Sequence, residues 1–142
     1  MADFFYQDPY PILKDTTEYK KISSEYVRVE QHGPRQVLVV DPKGIEVLTQ
    51  AAMTDVSFML RSSHLQKLNN ILQDPEATDN DRFVAYNLLQ NATVAAEGQL
   101  PSCQDTGTAI VVAKKGEDVY TGANDAEALS KGIFNTYQER NL

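Results

Sequence analysis

Apolar residues recur at helical spacing in four stretches of the chain. The first of these stretches begins near Pro42, and its apolar face comprises Ile45, Leu48, Ala52, Val56 and Met59. Intervals of three and four residues place side chains on one face of an amphipathic helix, which is normally the face turned towards the core. Proline is common in the first turn of a helix, so the pattern predicts a helix that starts at Pro42 and buries this face.

Two further helices follow in the sequence. The second is predicted to begin at Ser62 or Ser63, because Ser63 and Gln66 have capping-box spacing. Its apolar face comprises Leu65, Leu68 and Leu72. The third is predicted to begin after Thr78 or Asp79 as N-cap. Its predicted buried face comprises Val84, Leu88, Ala92 and Ala95.

A fourth helix is predicted near the end of the chain. Asn124 is placed as its N-cap, and Glu127 in its first turn complements the helix dipole. Leu129, Ile133 and Tyr137 share its apolar face. We expect this helix to run to the last residue without a C-cap. That expectation favours either a fragment of a longer protein or a subunit whose end docks on a partner.

Two segments have the alternation and turn residues of β-hairpins. In the first, the turn is predicted at 32–34 and the second strand at 37–40, whose unbroken apolar run suggests burial on both faces. In the second, we predict a strand over 109–113, a turn at 115–116 and a return strand over 119–121. The predicted fold is therefore α+β: mostly helical, with four or five helices and a small antiparallel sheet from two hairpins.

Composition and charge narrow the possible functions. The 142 residues fit one domain, and the net charge of −7 with scattered Lys and Arg argues against nucleic-acid binding. No apolar run approaches the length of about 18 residues that a membrane span needs, and no secretory signal is recognisable. The single cysteine cannot form an intramolecular disulfide, which suits a reducing compartment. We therefore expect a cytoplasmic protein with no membrane association.

That cysteine, Cys103, lies in the segment LPSCQDTGTA, between a predicted helix end and a predicted strand. Free cysteines are often small core residues, but the polar neighbours here favour a site in a loop. A nucleophilic cysteine needs a base, and neither His32 nor His64 is tied to Cys103 by spacing. Zinc needs about four ligands and an iron–sulfur cluster three or four thiolates, so either would require further ligands from elsewhere.

The segments LPSCQDTGTAIVVAKKG and DAEALSKGIFNTYQERNL resemble the N-terminal region of the class I, iron–sulfur-dependent fumarate hydratases. The segment from DVSFMLRSS to AAEGQLP fits the same family, while the P-[ST]-C-Q-D-T-G-T core is shared with the related tartrate dehydratases. The resemblance implies the reversible hydration of fumarate to malate, a step of the tricarboxylic acid cycle. It also implies a [4Fe–4S] cluster held by three cysteines, of which Cys103 matches the first.

The resemblance assigns roles to the residues after this cysteine. It implies that Gln104 binds a substrate carboxylate, and that Asp105 is a substrate-binding and catalytic residue that transfers a proton or holds the reacting hydroxyl. Thr106, Gly107 and Thr108 would support the loop, by hydrogen bonds and by close backbone approach. Plain turn chemistry before a strand is an equally good account of these three residues.

The resemblance also sets expectations about partners. Residues 1–142 would be the N-terminal part of the catalytic domain of a homodimeric hydro-lyase that acts on a small dicarboxylate. The remaining cluster ligands would come from the rest of the parent chain or from a second subunit, so residues 1–142 alone should be inactive. Three alternatives remain: a tartrate dehydratase, the ligand-donating subunit of a two-chain dehydratase, and a binding module without catalysis.

Overall fold

The computed structural model of the chain describes residues 3–8, 18–102 and 108–142. Over those residues it contains four α-helices and three β-strands, which confirms the α+β class. In chain order the elements are β1 (Val27–His32), β2 (Arg35–Val40), α1 (Pro42–Phe58), α2 (Ser62–Gln73), α3 (Asp79–Ala95), β3 (Val119–Tyr120) and α4 (Asp125–Arg140).

The first predicted hairpin is confirmed. β1 and β2 pair antiparallel from Val27 opposite Val40 to His32 opposite Arg35. Gly33 occupies the turn with φ of 61°, a left-handed conformation that glycine adopts without steric cost. The predicted burial of β2 on both faces is wrong, since Val37 is buried but Leu38, on the other face, is 38% exposed. Only one face of the small sheet is covered by described residues.

The second predicted hairpin is wrong. Residues 108–116 form no strand, and the return strand is reduced to β3, which pairs parallel with β2. Leu38 lies opposite Val119, and the Leu38 amide donates to the Asp118 carbonyl over 2.8 Å. The sheet is therefore mixed, in the order β1-β2-β3. The segment after Thr108 has the composition of a strand but no partner strand among the described residues.

α1 begins as predicted but buries a different face. Asp41 caps it by accepting a hydrogen bond from the Lys43 amide over 2.7 Å, and Pro42 occupies its first turn. The buried residues are Glu46, Thr49 and Phe58. The side predicted to face the core is exposed; we call it the apolar stripe of α1, and it comprises Leu48, Ala52, Val56 and Met59, with Ile45 half-buried at its start.

α2 and α3 form an antiparallel hairpin of helices around Leu68. Thr78 caps α3 in a complete capping box with Asp81, as one of the two predicted N-caps. The predicted capping box of α2 is wrong, because Gln66 donates to Asn70 instead. Of the predicted buried face of α3, only Ala95 is buried, along with Ala85, while Val84 and Leu88 border an open groove of about 560 Å³ between the two helices.

α4 lies parallel to α1 and packs on it through small residues. Ala128, Gly132 and Thr136 are buried at the contact, and Thr136 has no exposed surface. Asn124 caps the helix as predicted, by accepting from two backbone amides of the first turn. The expected absence of a C-cap is wrong: Asn141 adopts a left-handed φ of 55°, and its amide donates to the Tyr137 carbonyl.

Candidate functional site

The predicted site falls largely outside the described residues. Cys103, Gln104, Asp105, Thr106 and Gly107 are not among them, so the roles assigned to these five stay predictions. Thr108, the last predicted loop residue, is described and exposed. The structure describes the protein on either side of residues 103–107, the predicted segment that we call the Cys103 loop.

The chain enters the loop from a fixed point, Ser102. Its side chain and backbone are 5% exposed, and both of its donors reach one acceptor: the amide nitrogen lies 2.8 Å and Oγ 3.1 Å from the Ser57 carbonyl oxygen. Ser57 belongs to the last turn of α1, where carbonyls lack partners within the helix. One contact therefore completes the helix end and holds the residue that precedes Cys103.

The end of α1 is itself held by α4. Phe58 is 4% exposed, and the Arg140 guanidinium carbon lies 5.9 Å from the centroid of its ring, within the range of a cation–π interaction. The Met59 amide donates to the Asp55 carbonyl and closes the helix. The start of the Cys103 loop thus rests on the carboxyl-terminal ends of two parallel helices.

A buried carboxylate near the start of α1 also holds the same two helices together. Glu46 is 4% exposed and accepts hydrogen bonds from Lys43 over 2.6 Å and from Asn135 over 2.9 Å, while Lys131 lies 3.1 Å away. The hydrogen bond from Lys43 lowers the pKa of Glu46, and the pKa of Lys43 is raised by the same bond. The carboxylate is fully paired, which marks it as a structural clamp between α1 and α4.

The adjacent lysines Lys114 and Lys115 are also paired with carboxylates. Lys114 lies 2.8 Å from Asp8, and Lys115 lies 2.5 Å from Asp125 at the start of α4. The hydrogen bond from Lys115 lowers the pKa of Asp125. Both lysines therefore tie segments of the chain together, and their charges are compensated by carboxylates of the chain itself.

The described residues contain no metal site of their own. Among residues 3–8, 18–102 and 108–142, no group of three His, Cys, Asp or Glu side chains is arranged to hold a metal ion. Of the two histidines, His32 lies 3.3 Å from Glu30 on β1, and His64 is exposed on α2. Since the sequence has one cysteine, its thiolate could be at most one of the three or four that an iron–sulfur cluster needs.

Sequence reasoning missed Ser102 and Glu46. Ser102 stands inside the quoted segment, and a serine after proline at a helix-to-loop junction is a signal that could have suggested a backbone anchor. Glu46 had no such signal, because its partners Lys131 and Asn135 come more than 80 residues later. None of the described helices has both the length and the apolar character needed to cross a bilayer.

Comparison with known proteins shows the family of the chain. The family model described as fumarate hydratase (Fumerase) matches residues 46–142. Aerobic class I fumarate hydratase of Salmonella typhimurium is 50% identical over 139 residues, which cover 98% of this chain and 24% of that protein. The anaerobic class I enzyme of Escherichia coli is 51% identical, with 98% and 25% covered.

A more distant relative gives the same result. Fumarate hydratase 1, mitochondrial, of Leishmania major is 46% identical over 128 residues, which cover 89% of this chain and 23% of the relative. The chain thus spans about a quarter of the length of these proteins. The matched region includes both predicted site and anchor, and the resemblance seen in the sequence is confirmed: the chain belongs to the fumarate hydratase family.

Proposed function

We propose that this chain is the N-terminal part of a class I fumarate hydratase, a lyase that adds water to fumarate reversibly to give malate. The observation that carries the proposal is 50% identity over 98% of the chain to an enzyme named for this reaction. The substrate class that follows is a small dicarboxylate. The relatives are named for fumarate, and no observation favours tartrate over it.

Cys103 would give one thiolate to a [4Fe–4S] cluster. A single sulfur cannot hold such a cluster, so the other ligands would come from sequence beyond these 142 residues. When bound, the cluster supplies a Lewis-acidic iron that polarises the bond between carbon and the substrate hydroxyl. Residues 1–142 alone would then neither hold a cluster nor turn over fumarate.

The residues after Cys103 would handle the substrate. The Gln104 side-chain amide would donate a hydrogen bond to a substrate carboxylate, which fixes the orientation of the dicarboxylate. The Asp105 carboxylate would hold the reacting hydroxyl or move its proton. Thr106, Gly107 and Thr108 would shape the loop, and the exposure of Thr108 is compatible with a hydroxyl that faces a ligand.

The rest of the same polypeptide would cover the apolar stripe of α1. The stripe joins two grooves: one of about 310 Å³ lined by Ile45 and Leu48, and one of about 430 Å³ lined by Met59, Leu65 and Leu89. An apolar surface of this continuity is typical of an interface. Because the relatives are about four times longer than this chain, we propose that their additional segments occupy it.

The longer polypeptide, which we call the full-length enzyme, would be a cytoplasmic homodimer. A reducing compartment suits both a lone cysteine and an oxygen-sensitive cluster. Residues 1–142 would form the N-terminal part of its catalytic domain. The described α+β fold supports this role, since α1 and α4 provide a rigid base for the loop that carries Cys103.

The Cys103→Ser variant of the full-length enzyme tests the proposal. Loss of one cluster thiolate should remove most of the iron and visible absorbance after anaerobic reconstitution, and fumarate turnover with them. The matched control combines Cys103→Ser with Ser63→Cys, which restores a thiol at an exposed position of α2. The control should remain without a cluster. Wild-type iron content and activity in Cys103→Ser would contradict the proposal.

A further inference from the structure

We propose that Ser102 is a positioning residue for the Cys103 thiolate, and that its hydroxyl acts through the carbonyl of Ser57. The inference rests on the proposed function, because it assumes that Cys103 binds iron. It goes further because it assigns a role to Ser102, which precedes the proposed ligand Cys103 in the chain but does not itself bind iron. Ser102 would fix where the chain enters the ligand loop before any cluster is present.

The burial and partners of Ser102 carry the inference. Serine is mostly a surface residue, and when its hydroxyl bonds to the backbone the partner is usually within a few positions. Here the residue is 5% exposed, and the acceptor lies 45 residues earlier in the chain. The Ser57 carbonyl has two lone pairs, and Ser102 presents two donors to it, at 2.8 and 3.1 Å. Two bonds to one oxygen restrict rotation of Ser102 more than one bond would.

The acceptor is part of a rigid base. The Ser57 hydroxyl donates back to the Met53 carbonyl over 2.7 Å, within the last turns of α1. The next residue, Phe58, is buried and covered by Arg140 of α4. Any movement of the Ser57 carbonyl would therefore disturb the contact between two helices.

The residues before Ser102 add to the constraint. The ring of Pro101 fixes one backbone dihedral and also limits the conformation of Leu100. The segment thus reaches Ser102 with few accessible conformations, and the two hydrogen bonds select among them. Removal of a group bonded directly to a metal ligand typically changes metal affinity by about 10–100-fold, and Ser102, which acts through the backbone, should fall at the lower end of that range.

Ser102→Thr and Ser102→Val in the full-length enzyme isolate the hydroxyl. Valine and threonine have nearly the same shape, so the two variants place the same bulk in the buried site and differ in one hydrogen-bond donor. We expect Ser102→Thr to hold its cluster like the wild type against an iron chelator. Ser102→Val should lose the cluster at least about tenfold faster. Thr54→Val, which removes a hydroxyl bonded to Gln50 one turn earlier in α1, is the control and should resemble the wild type.

Cys103→Ser, measured alongside, separates the two proposals. If it retains iron, the proposed function fails; if it loses iron while Ser102→Val holds its cluster as firmly as Ser102→Thr, the positioning role alone is overturned. Equal loss in Ser102→Val, Ser102→Thr and Thr54→Val would also overturn it, since general destabilisation would then suffice.

Hydrogen exchange of the wild-type apoprotein needs no variant, so it tests the positioning role even if Ser102→Val does not fold. The Ser102 amide should exchange slowly without the cluster, because its bond to Ser57 exists beforehand. Fast exchange in the apoprotein and slow exchange only after cluster loading would show that the cluster orders the loop, which contradicts the positioning role.

Discussion

Gly132 sets how closely α4 approaches α1. A Cβ atom at this position would lie 2.6 Å from the Glu46 carbonyl oxygen and 2.7 Å from Cβ of Thr49. Neither neighbour is the flexible end of a side chain, so neither can move without shifting the α1 backbone. The absence of a side chain at one residue therefore permits the contact on which the Cys103 loop rests.

Gly132→Ala should destabilise the chain by about 2 kcal/mol. In an exposed helix the same substitution would stabilise by about 1 kcal/mol through helix propensity. Here overpacking against backbone, typically about 1–3 kcal/mol, adds to the strain of parting α1 from α4 and outweighs that gain. Urea unfolding measures the difference. Ser130→Ala, at an exposed position of the same helix, should change stability little, and an equally small effect of Gly132→Ala would refute the close contact.

At the scale of residues, prediction from sequence succeeded where the interacting residues are close together in the chain. The N-caps Thr78 and Asn124 accept hydrogen bonds from amides within the next three residues. Their residue type and their place before a helical pattern were therefore enough to predict them. Gly132 and Glu46 depend on neighbours more than 80 residues away in the chain, and nothing in their own surroundings indicates this. Ser102 belongs to the second group, since its acceptor is on α1.

At the scale of elements, the spacing of apolar residues predicted each helix correctly but did not always predict which face of the helix is buried. For α1 the buried face centres on Glu46 and Thr49, while the apolar stripe points outward. A charged residue is rarely buried unless it is paired, and two of the three partners of Glu46 come from α4. Strand prediction failed at 109–113 for a related reason, because a strand exists only with a partner to accept its hydrogen bonds.

The Glu46 clamp makes the α1–α4 contact sensitive to acid. Its pKa in the folded chain is below the ordinary value of 4.5, so its pairing stabilises the fold above that value and is lost as the pH falls through the folded-state pKa. Glu46→Gln should lower the thermal midpoint at about pH 7, and the gap to wild type should narrow as the pH falls below the ordinary carboxyl pKa and through the lowered pKa of Glu46. Glu139→Gln, exposed on α4, controls for net charge. A gap independent of pH would exclude the charge as the cause.

At the scale of the whole molecule, the described core is small for the number of apolar residues. Val56 and Met59 are 62% and 58% exposed, and Ile110 and Val112 are 84% and 64% exposed. Val56 and Met59 recur at the spacing of a helix face turned to the core, which explains why the sequence predicted them to be buried. The chain spans about a quarter of the length of its relatives, and the proposal that further segments cover these residues accounts for their exposure.

Val56→Gln distinguishes the two contexts. In the 142-residue chain Val56 is mostly exposed, so stability should change by no more than about 0.5 kcal/mol. In the full-length enzyme the amide would be buried without a partner, which should cost about 1–3 kcal/mol. Thermal unfolding of both proteins measures this, with Lys67→Gln on α2 as the exposed control. Equally small effects in both proteins would show that the apolar stripe of α1 is not covered in the full-length enzyme. Concentration-dependent sedimentation of the 142-residue chain would instead indicate that a second copy of the chain covers the stripe.

The pairing of α1 with α4 joins positions 82 to 89 residues apart, from Phe58 with Arg140 to Glu46 with Asn135. On a ribosome that adds about 5–20 residues per second, α1 emerges several seconds before the helix that covers it. The anchor between Ser57 and Ser102 can form earlier, since it closes a loop about half as long. The order of synthesis thus allows Ser102 to bond to Ser57 first. The contact of α1 with α4 that holds Ser57 in place can form only after residue 140 has been translated.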